Sequence, residues 1–261
     1  MPSQKASKRR RQEARTPPPP VRTRGATARR ASPKVLIIAG VVALLIVVAI
    51  VLAVVLTGGS DSNKPAAQLP DAADVQQLFS GIPQHGNVLG KPDAPVTVIT
   101  YVDLQCPFCR QFETEAMPTI LENYVRKGKA KVEARVISFI GPDSQRGREA
   151  ALAAGKQNKM FNFNQLLYDN QGTENTGWLS EDFIRSAAAS IPGLDANQLQ
   201  SDRSSSSVKQ QMDTIDSQAA EAHVNSTPTI YVVRKGGSPQ LVTLTSPGDP
   251  SALESAINTS G

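Results

Sequence analysis

The stretch from residue 95 to residue 109 reads Pro-Val-Thr-Val-Ile-Thr-Tyr-Val-Asp-Leu-Gln-Cys-Pro-Phe-Cys. Its first seven residues are rich in β-branched side chains, which predicts a buried strand over residues 95–101. A helix is predicted from Cys106 to about Lys127, with Pro118 bending or splitting it. The only two cysteines of this 261-residue chain therefore lie at a strand-to-helix junction. Two cysteines three residues apart close no long loop, so the pair indicates redox chemistry rather than a disulfide scaffold.

The motif Cys106-Pro107-Phe108-Cys109 places each residue where the chemistry of thiol exchange needs it. Cys106 falls at or near the helix N-cap, where free backbone N–H groups and the helix dipole stabilise a thiolate. Pro107 suits the first helical position because its missing N–H is not needed there. Cys109 lies one turn further on, so its sulfur can reach Cys106 and form a short, exchangeable disulfide. We therefore expect catalysis by Cys106 and Cys109, with no cofactor other than their redox-active disulfide.

Two other interpretations of the cysteine pair were weighed. A Cys-x-x-Cys pair is half of a tetrahedral zinc site, but such a site needs four ligands. The only histidines, His85 and His223, are not at ligand spacing to a partner, so no metal is expected. A purely structural disulfide is the other alternative, although so short a loop constrains the unfolded chain little.

The N-terminal part of the chain carries a predicted membrane anchor. Residues 35–56 are 22 consecutive Val, Leu, Ile, Ala or Gly residues, long enough to cross the hydrocarbon layer as a helix. A secretory signal peptide is the competing interpretation, but its apolar region is usually shorter, about 7–15 residues. Eleven of the 28 Lys and Arg residues precede the span and few follow it closely. The positive-inside rule therefore predicts a cytoplasmic N-terminus and an extracytoplasmic C-terminal part in the cell membrane.

The charge is divided between two regions of the chain. Residues 1–34 hold eleven basic residues and one acidic residue, so the remainder has a net charge of −5 within a total of +5. This basic segment lacks apolar periodicity and is predicted to be a disordered tail. No aromatic residue is interleaved with its arginines, which argues against nucleic acid as a partner. Residues 57–74 are predicted to be a linker, and residues 75–261 a folded domain.

The pattern within that domain predicts a mixed α/β fold. A second strand is predicted over residues 131–139, and residues 144–224 are helical in pattern. The apolar stripe of one predicted helix contains Val208, Met212, Ile215, Ala219 and Ala222. Two strands over residues 229–233 and 240–245 form a hairpin, and a short terminal helix follows residues 249–251.

Three segments together resemble the DsbA-like thioredoxin family of bacterial extracytoplasmic oxidoreductases. These are residues 90–98 (Gly-Lys-Pro-Asp-Ala-Pro-Val-Thr-Val), residues 101–109 with the Cys-Pro-Phe-Cys motif, and residues 226–230 (Ser-Thr-Pro-Thr-Ile). Residues 178–180 and 193–195 are similar to the helical insert of that family. The resemblance covers roughly residues 81–260. It implies a thioredoxin fold with a large helical insert, over about residues 144–224, between a βαβ half and a C-terminal ββα half.

The resemblance also implies roles for individual residues. It implies that the Thr227–Pro228 bond is cis, packs beside Cys106 and presents the Thr227 backbone to an extended substrate peptide. Phe108 departs from the most oxidising members, which have a histidine there, and this implies a less extreme reduction potential. Asp103 has two interpretations from its position alone: a proton relay to Cys109, or a cap on the turn after the strand.

The expected function is a membrane-anchored protein disulfide oxidoreductase acting on reduced or misoxidised secreted and membrane proteins. A quinone-linked membrane protein is the expected partner that reoxidises it. An extracytoplasmic isomerase or reductase is an alternative within the enzyme class. A non-catalytic, chaperone-like module that binds peptides on the same fold is an alternative from a different class.

Overall fold

The computed structural model describes residues 68–259. The predicted tail (1–34), membrane span (35–56) and most of the predicted linker (57–74) lie outside these residues and stay predictions. Among the described residues, no helix combines the length and the apolar character needed to cross a bilayer.

The described part is a six-stranded sheet with helices on it, in the order β1-β2-β4-β3-β5-β6. The strands are β1 Gln84–His85, β2 Val88–Leu89, β3 Val96–Val102, β4 Ala130–Val136, β5 Thr229–Arg234 and β6 Gln240–Val242. The helices are α1 Ala72–Phe79, α2 Pro107–Gln111, α3 Met117–Ile120, α4 Pro142–Lys156, α5 Met160–Asp169, α6 Glu181–Ala189, α7 Ala196–Asp202, α8 Ser206–Glu221 and α9 Ser251–Thr259.

Strand β3 is central because it pairs on both edges. It runs parallel to β4, from Val96 opposite Ala130 to Val102 opposite Val136. It runs antiparallel to β5, with Tyr101 opposite Thr229. Six of its seven residues are buried, which agrees with the continuous β-branched run that predicted it. The segment that follows β3 therefore starts from a buried strand that is hydrogen-bonded on both sides.

Helical residues continue without a gap from Pro107 to Val125. Two π-helical segments, Phe112–Ala116 and Leu121–Val125, flank α3 and continue the helical path of α2. Pro118 lies in the first turn of α3, where a missing N–H is tolerated best. The helical path thus continues past Pro118, with π-helical hydrogen bonding on either side of α3.

Helices α4 to α8 form the helical insert between β4 and β5, close to the predicted bounds. Val208 and Ile215 of the predicted stripe are buried, and Met212, Ala219 and Ala222 pack against the core as partly buried residues. Ser180 caps α6 by accepting a hydrogen bond from the Phe183 N–H at 3.2 Å. The insert is therefore an integral layer of the fold.

The structure corrects the predicted N-terminal boundary of the domain. Helix α1 starts at Ala72, inside the segment predicted as a linker, and three residues before the expected start of the domain. Its buried residues Ala72, Val75 and Phe79 share one face, and the Phe79 ring lies 6.3 Å from the ring of Phe161 on α5. Only eight residues long, α1 offers too few turns for its periodicity to stand out in the sequence.

The second predicted strand is shorter than expected. The pattern predicted residues 131–139, whereas β4 ends at Val136. The N–H groups of Phe139 and Ile140 donate to the Asp103 carboxylate at 2.7 and 3.0 Å instead of to a neighbouring strand. The backbone pairing with β3 ends with the Ile137 N–H, which donates to the Val102 carbonyl at 2.9 Å, and the Asp103 side chain binds the N–H groups that follow.

Candidate active site

Cys106 is the N-cap residue of α2, and Pro107 is the first residue of that helix. The short segment Asp103–Gln105 connects Cys106 to the end of β3. Both Cys106 and Cys109 carry free thiols, and both are buried, Cys109 completely. Phe108, between them, is the exposed member of the motif, with 59% of its surface accessible. The two sulfurs therefore differ in environment although they are three residues apart.

The Cys106 thiol is the one that ionises readily. Its pKa is lowered from the ordinary value of 9.0 to about 6. The largest cause is a hydrogen bond from the Cys109 side chain; burial opposes it, and the Thr227 side chain and the backbone N–H groups of Cys109 and Phe108 add to the lowering. Cys106 is thus predominantly a thiolate at neutral pH.

The Cys109 thiol has the opposite character. Burial raises its pKa well above the ordinary value, and the neighbouring Cys106 raises it further. A sulfur that is excluded from water and holds its proton is poorly placed to attack an external partner. The pair therefore separates an exchangeable sulfur, Cys106, from an internal one, Cys109.

The segment before β5 brings a proline next to this site. The Thr227–Pro228 peptide bond is cis. The Cys106 Sγ donates to the carbonyl oxygen of Thr227 at 3.4 Å, across 121 residues of sequence. Because β5 pairs with β3, the end of one strand and the start of the other lie at the same edge of the sheet. Thr227 and Pro228 are therefore neighbours of the thiol, as the sequence resemblance implied.

A groove of about 590 Å³ extends from this edge. Its lining includes Phe108, Thr227, Pro228, His223 and Leu241. Leu241, on edge strand β6, is 61% exposed. Apart from His223, the groove has no ionisable lining residue other than the aromatic Tyr231 hydroxyl. The surface beside Cys106 is thus uncharged and partly apolar.

Asp103 is fully buried and its carboxylate has four donors. Oδ1 accepts from the N–H of Gln105 and from the Ser144 hydroxyl, each at 2.8 Å. Oδ2 accepts from the N–H groups of Phe139 and Ile140. This geometry is that of a cap on the turn after β3, and the alternative role as a proton relay stays a prediction.

Sequence reasoning missed the residues that the insert contributes to the site. The Tyr168 hydroxyl donates to the carbonyl of Asp103 at 3.3 Å. The side-chain amide of Gln171 donates to the carbonyls of Leu104 and Cys106 at 2.8 and 3.2 Å. No motif surrounds these two residues, and 65 to 67 residues separate them from their acceptors, so no local signal could have identified them.

Glu113 was also missed. It lies one helical turn after Cys109, and burial raises the pKa of its carboxyl to about 8. Tyr168 is an electrostatic neighbour of both Glu113 and Cys109, and burial raises the Tyr168 pKa well above its ordinary value. A spacing of four residues on a helix was a usable signal for this position.

Neither histidine makes a hydrogen bond to either sulfur within the described residues. His85 is an exposed residue of β1, and His223 is an exposed residue just beyond α8, with φ of 52°. His223 lines the groove together with Phe108 and Thr227. Across residues 68–259, no three His, Cys, Asp or Glu side chains are grouped closely enough to hold a metal ion.

A thioredoxin-like sheet, a Cys-Pro-x-Cys pair with one activated thiol at a helix N-terminus, and a neighbouring proline segment define the class of protein disulfide oxidoreductases. Comparison with known proteins agrees with this class. Residues 84–238 match the protein-family model described as thioredoxin, and the chain belongs to this family.

Curated relatives include proteins of disulfide formation. The chain is 33% identical over 147 residues to the probable disulfide bond formation protein D of Bacillus cereus, covering 55% of this chain and 68% of the relative. It is 27% identical over 172 residues to disulfide bond formation protein D of Bacillus subtilis, covering 65% of this chain and 76% of the relative. The chain is accordingly a protein disulfide oxidoreductase.

Solved structures show the same fold. BdbD of Bacillus subtilis in its oxidised form superposes with a TM-score of 0.59 at 23% identity, over 68% of this chain and 96% of that one. A thioredoxin-like oxidoreductase from Silicibacter pomeroyi superposes with a TM-score of 0.54 at 27% identity, over 71% of this chain and 96% of that one. The fold is thus shared with these two structures.

Proposed function

We propose that the chain is a membrane-anchored oxidant that introduces disulfides into extracytoplasmic proteins through Cys106 and Cys109. The proposal rests on the opposite pKa shifts of the two thiols. The pKa of Cys106 is lowered to about 6, and the pKa of Cys109 is raised well above the ordinary value. A stabilised Cys106 thiolate favours the reduced enzyme, and so favours oxidation of the substrate.

The first exchange step uses the difference between the two sulfurs. A substrate thiolate attacks Cys106 of the enzyme disulfide, the Cys106–Cys109 bond breaks, and a substrate–Cys106 disulfide forms. Cys109 leaves with the electron pair and takes up a proton because its pKa is high.

The second step releases the product. Another substrate thiolate attacks the substrate sulfur of the mixed disulfide, and Cys106 leaves as a thiolate that its environment stabilises. Two substrate thiols have then lost two electrons to the enzyme and formed a disulfide. Turnover requires a partner that removes these electrons, and a quinone-linked membrane protein suits an anchored enzyme.

The proposed peptide site is the backbone of Thr227 and the adjoining groove. The N–H of Thr227 donates no hydrogen bond within the described residues, so it is available to an extended peptide. The uncharged groove beside Phe108 and Leu241 suits the apolar residues that unfolded substrates expose. Secreted and membrane proteins with reduced or wrongly paired cysteines are the proposed substrates.

The reduction potential of the pair tests the direction of the reaction. We expect a value nearer to about −120 mV than to about −200 mV when the full chain, in detergent, is equilibrated with glutathione buffers and its free thiols are alkylated and counted. The Cys109→Ser variant, which cannot form the internal disulfide, is the control. A value near about −270 mV would make the protein a reductase, and an absence of any redox equilibrium would favour the peptide-binding module.

The membrane anchor has a test of its own. In a background in which both native cysteines are replaced by serine, Ser60→Cys and Ser32→Cys place single thiols on either side of the apolar span. We expect an impermeant maleimide to label Ser60→Cys on intact cells and to label Ser32→Cys only after lysis, because the basic segment stays in the cytoplasm. The reverse pattern would invert the orientation, and a shortened protein would show cleavage of a signal peptide.

A further inference from the structure

The turn between β3 and α2 is held from outside by the helical insert. Three of its carbonyl groups accept hydrogen bonds from side chains at the C-terminal end of α5. Tyr168 donates to the Asp103 carbonyl, and Gln171 donates to the carbonyls of Leu104 and Cys106. The part of the chain that carries the reactive sulfur is thus fixed by residues that contact neither sulfur through a hydrogen bond.

Both side-chain hydrogen bonds that Gln171 donates go to this turn. A carboxamide nitrogen has two N–H groups, and those of Gln171 point to two carbonyls that are two residues apart. The Cys106 carbonyl also accepts from the N–H of Arg110 at 3.0 Å, whereas Gln171 is the donor recorded for Leu104. Because Leu104 is completely buried, loss of this donor leaves its carbonyl with little access to water.

Gln171 is itself held in place. It follows α5 directly, and its N–H donates to the carbonyl of Tyr168 at 3.2 Å. Its side chain therefore reaches the turn from a fixed backbone, which lets a single amide restrict the rotation of two peptide groups, Leu104–Gln105 and Cys106–Pro107.

We infer that Gln171 is a positioning residue for thiol–disulfide exchange, whose amide keeps the Cys106 sulfur directed at the N–H groups of Phe108 and Cys109 and at Thr227. The inference rests on the proposed function, in which Cys106 is the sulfur that exchanges with substrate. Gln171 acts through the turn and makes no hydrogen bond to the sulfur. Its contribution is to keep the donors of the thiolate within reach.

Substitution of Gln171 tests this role. Gln171→Met keeps the length of the side chain and removes both donors, so the Leu104 and Cys106 carbonyls lose this restraint and the thiolate loses part of its stabilisation. We expect the midpoint of the Cys106 titration, followed by the ultraviolet absorbance of the thiolate in the reduced full chain, to rise by about 0.5–1 pH unit. Gln171→Glu faces two carbonyl oxygens with a carboxylate, and a larger rise is expected.

The neighbouring amide provides the matched control. Asn170 donates to the carbonyls of Pro70 and Leu166, which are not part of the active-site turn. Asn170→Leu and Asn170→Asp should leave the Cys106 midpoint unchanged, although they also remove an amide and, in the second case, add a charge. A loss of fold would lower the thermal stability of the variants at either position. A positioning role would raise the Cys106 midpoint in the two Gln171 variants alone.

The outcomes separate this inference from the proposed function. A wild-type protein that equilibrates with glutathione, beside Gln171→Met and Gln171→Glu variants with an unchanged midpoint and exchange rate, would overturn the role of Gln171 and leave the oxidase intact. If Gln171→Met does not fold, the comparison of Gln171→Glu with Asn170→Asp decides. A wild-type protein without any redox equilibrium would overturn the proposed function itself.

Discussion

Replacing Cys106 with alanine is expected to reduce the oxidation of a dithiol substrate to the rate of the uncatalysed reaction. Cys109 is completely buried and its pKa is raised, so it cannot substitute for the missing sulfur. The measurement is the formation of a disulfide in a reduced, unfolded substrate protein, with oxidised glutathione as the terminal oxidant.

Cys109→Ser is the informative partner of that variant. It keeps Cys106 as an exchangeable sulfur but removes the internal thiol that resolves a mixed disulfide from the enzyme side. We expect it to accumulate covalent complexes with substrates, visible on non-reducing gels and abolished by dithiothreitol. Cys106→Ser should accumulate none, and complexes formed equally by both variants would contradict the assigned roles.

The second large effect is a pH-dependent stabilisation of the reduced protein. The pKa of Cys106 is about 6 in the fold and about 8.5 in an unfolded chain, so between these values the unfolded state binds more protons. The contribution of Cys106 to the free energy of unfolding of the reduced protein should therefore rise with pH from 6 to about 8.5, by about 3 kcal/mol in total. This stabilisation is lost as the pH falls through 6.

Two other groups also make the free energy of unfolding depend on pH in or near this range. Above about pH 8.5, Cys109 keeps its proton in the fold and loses it when unfolded, so stability falls again. Glu113, with a pKa of about 8, lowers the stability as the pH rises towards 8, but it does so in the oxidised and the reduced protein alike.

The measurement is therefore a difference between the two redox forms. Denaturant unfolding of the oxidised and reduced protein at several pH values gives the difference in unfolding free energy, from which the Glu113 contribution cancels. Cys106→Ser has no oxidised form, so it is compared with the reduced wild-type protein, and its unfolding free energy should lack the rise with pH that Cys106 contributes. A difference that does not vary between pH 6 and 8.5 would show that the Cys106 thiolate is not stabilised by the fold.

The groove and the turn held by the insert have different proposed roles in the site. Thr227, Phe108 and Leu241 provide the surface proposed for the substrate peptide, next to the sulfur. Asp103 and Gln171 hold the turn that carries the sulfur from the other side. A change of substrate preference is therefore expected from the first group and a change of thiol reactivity from the second.

The elements with a local signal were predictable from the sequence. Strand β3, the helix that starts after Cys106, the hairpin of β5 and β6 and the apolar stripe of α8 all follow from side-chain periodicity and from the preferences of proline and of β-branched residues. The position of Cys106 at a helix N-cap follows from the same signals, because the strand and the helix meet there.

The contacts of this strand-to-helix junction with the rest of the protein were decided by the tertiary structure alone. The contact of Cys106 with Thr227 crosses 121 residues, and Gln171 reaches the turn across 65 to 67 residues. The four donors of Asp103 come from three separate segments, which makes it a buried cap whatever further role it has. Such contacts have no local pattern, because they depend on which groups the packing of the sheet and the insert brings within hydrogen-bonding distance and shields from water.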